Sequence, residues 1–233
     1  MDSQFTPRHL QCAFFLSLIN LSSKMKIANA VAKLLPEIFD KDPLFLEIDK
    51  SLEVDGDVPE VIMENSKNAW ALRIGKSRMD LFAEPTKHDE KMTLSNFIDI
   101  FQEVAIKIFE MQRDSFSLIS YRIGFITHLV CLTENAVDLV SKKYTTNLIE
   151  PEETSKLELH FLKKYNREGM DLNRWTRIRS RIEENEVPSQ VNLEVDINTP
   201  NEKKVVLDSD FIQKFFSVAK SEILDIAKKH EAA

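Results

Sequence analysis

The 233-residue chain reads as an α+β fold, an antiparallel sheet backed by amphipathic helices and built from two β-α-β-β-β-α units, residues 1–114 and 115–233, within one continuous structural unit. Three observations predict it. Residues 95–105 (SNFIDIFQEVA) return as residues 209–219 (SDFIQKFFSVA), an offset of 114, with Ser, Phe, Ile, Phe, Val and Ala at the same spacing. Asn68-Ala69-Trp70 is echoed by Asn173-Arg174-Trp175 at an offset of 105, and these segments hold both tryptophans. Between the echoes, segments of apolar period 2 alternate with segments of period 3.6 in the same order in each half. Two amphipathic helices share apolar phase without common descent, but phase does not require identity at Ser, Ala or the Asn-x-Trp pair.

The first strand covers residues 5–19, with Leu10, Cys12, Phe14, Leu16 and Leu18 on one face. Ser22 or Ser23 caps a helix whose stripe is Ile27, Val31, Leu34, Leu35 and Ile38, and Pro36 and Pro43 mark its end. Residues 44–52 read as a strand, Asp55-Gly56-Asp57 as a turn, and residues 61–84 as a hairpin folded about Gly75-Lys76-Ser77, along which Trp70, Leu72 and Ile74 alternate. A helix from Thr93 presents Phe97, Phe101, Val104, Ala105 and Ile108 inward.

The second half opens with a long strand over residues 116–132, then a short helix from Glu134 or Asn135 through Val137, Leu139 and Val140. Residues 157–165 alternate weakly and suit strand or helix, and Gly169 lies in a turn. Residues 173–182 and 190–198 form a hairpin in which Arg181 faces Asn192, Arg179 faces Glu194 and Arg177 faces Asp196, while Ile182, Ser180, Ile178 and Thr176 meet Val191, Leu193, Val195 and Ile197. A helix through Trp175 is the rival and would scatter its arginines around the circumference. The last helix runs from Asp208 or Ser209 to about Lys229, with Lys228 and Lys229 at its negative end.

With 43% hydrophobic and 30% charged residues the composition is that of a globular protein. A formal charge of −7 favours solubility and disfavours nucleic acid as a partner of the whole surface. Cys12 and Cys131 are too few for a disulfide framework and suit small core residues in a reducing cytoplasm. The apolar run at residues 10–21 imitates a secretory signal, but Asp2 stands in the would-be basic region and no small-x-small site follows. No apolar segment reaches the ~20 residues of a membrane span.

The strand after Pro7, the Trp70 to Phe82 hairpin, Tyr121-Arg122-Ile123-Gly124-Phe125, and Val195-Asp196-Ile197-Asn198 ahead of an amphipathic helix give the chain its character. In these dispersed positions it resembles a sporadically distributed family of uncharacterised bacterial proteins, a resemblance that covers most of the chain and brings no activity with it. The duplicated plan also resembles, in architecture alone, the TATA-box-binding protein fold, which implies two halves sharing one curved antiparallel sheet. Fold does not carry function across, and the acidic balance here differs from that of a minor-groove saddle.

Chemistry is sparse. Four glycines, at 56, 75, 124 and 169, make no phosphate-cradling loop. His128 and Cys131, three apart on a strand, point to opposite faces and cannot share a metal, and His9, His88, His160 and His230 lie in no motif. Asp55-Gly56-Asp57 with Glu60 misplaces the glycine of a calcium loop. No serine sits in a Gly-x-Ser-x-Gly elbow, and 38 acidic residues single out no acid/base pair. The sequence therefore nominates no catalytic residue, metal ligand or cofactor. Its binding candidates are Trp175 with Arg174, Arg177, Arg179 and Arg181, planar cations beside an indole. Cross-strand pairing with Glu194, Asp196 and Asn192 is the structural account of the same arginines, each exposed pair contributing at most ~1 kcal/mol. The expectation is a non-enzymatic cytoplasmic binding or adaptor module whose partner is another protein or a second copy of itself. Nucleic-acid binding through the arginine hairpin and small-ligand binding between the halves are the alternatives.

Overall fold

Alternating and helical stripes resolve into one sheet with helices on one side. The computed structural model describes residues 5–46, 58–86, 92–133, 136–144, 156–181, 190–202 and 206–230. The order is β1 (Thr6–Leu16), α1 (Leu21–Leu34), β2 (Leu44–Phe45), β3 (Val61–Glu64), β4 (Trp70–Ile74), β5 (Arg78–Ala83), α2 (Leu94–Phe116), β6 (Ser120–Leu132), α3 (Ala136–Tyr144), β7 (Glu158–Arg167), β8 (Met170–Arg181), β9 (Gln190–Asn198) and α4 (Ser209–His230). The tract at Trp175 is strand, and residues 158–167 are strand rather than helix. The turn expected at residues 55–57, most of the 44–52 strand, Ile182 and the expected cap at residues 134–135 lie outside the described residues.

Local chemistry sets the element ends. The Asn20 side chain accepts from Ser23 N at 2.8 Å, so α1 starts at Leu21, ahead of the serines expected to cap it. The helix stops at Leu34 because Pro36 drives Leu35 out of the helical region, to φ −132 and ψ 56. Thr93 caps α2 through Asn96 N, and Asp208 caps α4 through Phe211 N. Glu168 and Gly169, both at positive φ (53 and 80), are the two-residue loop of the β7–β8 hairpin, the left-handed pair that matches strand twist.

All strand pairs are antiparallel, in the order β2-β3-β4-β5-β1-β6-β9-β8-β7. β1 and β6, the first strands of the two halves, form the central seam; outward from it each half runs backwards through its own strands. The first half carries one strand more than expected, because residues 61–84 hold three strands, β3, β4 and β5, in place of the two arms of a hairpin; β2 falls where the 44–52 strand was expected.

Every second strand residue faces the helices. From β1 these are Leu10, Cys12, Phe14 and Leu16; from β6 they are Ile123, Phe125, Thr127, Leu129 and Cys131. Phe14 meets Phe109 of α2, while Phe125 stacks on Phe101 of α2 at 5.4 Å and takes Phe216 of α4 edge-on at 5.8 Å. Burying each such ring contributes roughly 1.5–3 kcal/mol. Gln102 of α2 donates to the Phe216 carbonyl at 2.9 Å, tying α2 to α4. No described helix is long and apolar enough to cross a membrane.

The β8–β9 ladder keeps the expected faces but slides by two residues. Arg177 faces Glu194, Arg179 faces Asn192 and Arg181 faces Gln190, while Thr176, Ile178 and Ser180 meet Val195, Leu193 and Val191. A shift of two preserves the in/out pattern, so apolar periodicity does not fix it.

Candidate binding face

Among the described elements the second face of the sheet carries no helix, and its residues come from alternate positions along the strands. Across its centre stand His9, Gln11, Ala13 and Phe15 of β1 and Arg122, Gly124, Ile126, His128 and Val130 of β6. Beside them lie Arg78, Asp80 and Phe82 of β5, Ala71 and Arg73 of β4, Asn192, Glu194 and Asp196 of β9, and Trp175, Arg177 and Arg179 of β8.

Arginine and aromatic side chains are stacked on this face. Phe15 lies between two guanidiniums, Arg78 at 5.1 Å and Arg122 at 4.6 Å from its ring centre. Arg73 covers Phe82 at 4.7 Å, and Arg177 leans over Trp175 at 5.8 Å. Stacking leaves the in-plane donors of a guanidinium free to be aimed. Arg78 spends its own on Asp80, at 2.7 and 3.0 Å, which also accepts from Gln11. Arg122 donates to the Thr199 carbonyl at 3.1 Å and approaches Asn198 Oδ1, with no carboxylate partner among the described residues. Arg73, exposed, also lacks one. The carboxyl of Asp196, ladder partner of Trp175, is pushed above the usual aspartate range by burial, against the hydrogen bond it accepts from Asn198 at 2.9 Å.

The sequence candidates divide. Trp175, Arg177 and Arg179 lie on this face, and the strand position of Arg181 is on it too. Arg177 is paired with Glu194 and Arg179 with Glu158, at 2.6 Å, so both already hold carboxylates. Glu158 is drawn down to about 2, first by the hydrogen bond from His160 and then by that from Arg179. Arg174 is one residue out of step: it sits on the helix side, where with Arg167 it clamps Glu222 of α4. The two tryptophans also part. Trp70 lies on the helix side, stacked on Phe101 at 5.8 Å, whereas Trp175 is on the bare face, one step along β8 from the helix-side Thr176.

Sequence reasoning passed over Phe15, Phe82, Arg73, Arg78 and Arg122. The signal was present in each strand's alternation: Arg73 separates Leu72 from Ile74, and Phe15 separates Phe14 from Leu16.

Cys12 and Cys131 are buried on the helix side, and burial pushes the Cys12 thiol well up, away from thiolate chemistry. His128 and Cys131 face opposite sides of β6. Among the described residues no three His, Cys, Asp or Glu side chains group to hold a metal ion. No known protein-family model matches the chain, and comparison with curated proteins finds no relative.

Proposed function

We propose that the chain is a non-enzymatic binding module, internally duplicated and working in the bacterial cytoplasm, which docks another protein on the helix-free face of its sheet. The observation that carries this reading is the chemistry of that face. Of the chain's ten arginines, Arg73, Arg78, Arg122, Arg177 and Arg179 stand there with Phe15, Phe82 and Trp175, and the strand position of Arg181 is there too. Of 21 lysines, Lys164 is the one placed there by a described strand. Arginine and large aromatics in place of lysine are the mark of protein-binding surfaces, where they act as anchors. Pairing of Arg177 and Arg179 with glutamates removes the cations on which nucleic-acid binding through the hairpin would depend. Duplication is supported by the mirrored strand order and by the contact of Gln102 with Phe216, positions 114 apart, the offset of the repeated motif.

The test is a photo-crosslinking residue at Phe82, with Glu103 on the exposed side of α2 as control, in cell extract of the source organism. A discrete, nuclease-resistant protein adduct from Phe82 alone, weakened by Arg122→Glu, is expected. Adducts destroyed by nuclease, or equal capture from Glu103, would overturn the reading.

A further inference from the structure

His9 and His128 face each other across the central seam as ladder partners, ring centres 5.5 Å apart and planes at 60°. Each turns Nδ1 outward to a glutamate of the next strand out: His9 to Glu84, just past β5, at 3.5 Å, and His128 to Glu194 of β9 at 3.9 Å. The row across four strands is therefore Glu-His-His-Glu. Nδ1 and Nε2 lie on opposite flanks of an imidazole, so two Nδ1 atoms turned outward leave each Nε2 on the flank away from its glutamate. Neither Nε2 has a hydrogen-bond partner among the described residues. Phe82 packs against the His9 ring at 5.4 Å and limits its swing.

We propose that His9 and His128 form a two-nitrogen site for a borderline transition-metal ion, Cu²⁺ or Zn²⁺, bound between their Nε2 atoms at the centre of the bare face. An ion about 2.1 Å from two imidazole nitrogens at a tetrahedral angle sets ring centres roughly 5 Å apart, close to the spacing found. A carboxylate on the far nitrogen is the usual support of a metal-bound histidine; Glu84 stands at that distance from His9, at 3.5 Å, while Glu194 lies at 3.9 Å from His128, beyond a hydrogen bond. Burial draws both imidazoles below the usual histidine range, against the pull of Glu84 on His9 and of Glu194 on His128. The guanidiniums of Arg179, Arg177, Arg8 and Arg73 lower the affinity for any cation. They disfavour hard ions such as Mg²⁺ and Ca²⁺ most, since these gain nothing from nitrogen ligands. Two protein ligands leave the remaining positions to water. The site stands independently of the protein-docking reading.

Cu²⁺, first in the divalent affinity order, is the probe. One equivalent at pH 7.5 is expected to give an electron paramagnetic resonance spectrum split by two imidazole nitrogens. His9→Gln and His128→Gln should each remove one nitrogen and weaken binding at least about tenfold, Glu84→Gln should weaken it by about tenfold or more, and His160→Gln on the exposed edge should change nothing. In the unaltered protein, which needs no variant to fold, Zn²⁺ should shift the ¹⁵N resonance of Nε2 in both rings. A two-nitrogen signal surviving either histidine substitution, or no shift of both rings with Zn²⁺, overturns the site.

Discussion

His230 closes α4 with its ring 5.3 Å from Tyr144 and its Nδ1 buried without a hydrogen-bond partner among the described residues. A helix C-terminus favours a cation, yet burial first and Lys143 second push the imidazole down to about 4, so burial outweighs the helix end. The unfolded chain holds the group near 6.5 and between the two values binds the proton that the folded chain refuses. Its contribution to stability is therefore complete above pH 6.5 and is lost as pH falls through the folded value. His230→Phe should flatten the fall in melting temperature between pH 6.5 and 4, measured by circular dichroism. A curve parallel to that of the unsubstituted protein would show that the ring titrates normally in the fold.

At the scale of elements, Phe125 joins β6 to both long helices, lying against Phe101 and Phe216 with no exposed surface. Phe125→Ala should cost about 3–5 kcal/mol in urea unfolding, the value for a core aromatic whose neighbours cannot close the space. A loss below about 1 kcal/mol would mean that α2 and α4 repack without it. These helices were legible in the sequence because four apolar positions per two turns survive small errors of alignment. Strands were legible in their faces but not in their pairing. The β8–β9 slide of two residues leaves every side chain on its side, and Glu194 accepts Arg177 as readily as the Arg179 expected opposite it. Error by one residue is punished: it placed Arg174 with the exposed arginines and equated Trp70 with Trp175, which the sheet separates by its full thickness. The make-up of the bare face went unread because its signal is distributed, one residue in two on strands far apart in sequence, and only the strand order brings Phe15, Arg78 and Arg122 together.

Across the whole molecule the seam between β1 and β6 decides how the chain unfolds. Thr6 to Leu16 pair along Ser120 to Val130, and the aromatic core runs from Trp70 in the first half through Phe101 to Phe125 and Phe216 in the second. Neither half covers its central strand alone, so the two should unfold together. One tryptophan in each half supplies the probe: in Trp70→Phe and in Trp175→Phe, urea transitions followed by fluorescence and by far-ultraviolet circular dichroism should coincide. Fluorescence and dichroism midpoints that separate within either variant would mean that the halves melt independently.

The uneven division of the described cations, with Lys164 the one strand lysine on the bare face against five arginines seated there, has a practical side. Amine-reactive dyes, beads and sensor chips will attach to the described lysines mostly on the helices, with Lys164 the exception on the bare face. Dicarbonyl reagents that select guanidinium groups will instead favour the bare face, where Arg73 stands exposed, with Arg113 and Arg167 as sites in the helical layer, so a pair of labelling reactions can bias the orientation of the protein without altering its sequence.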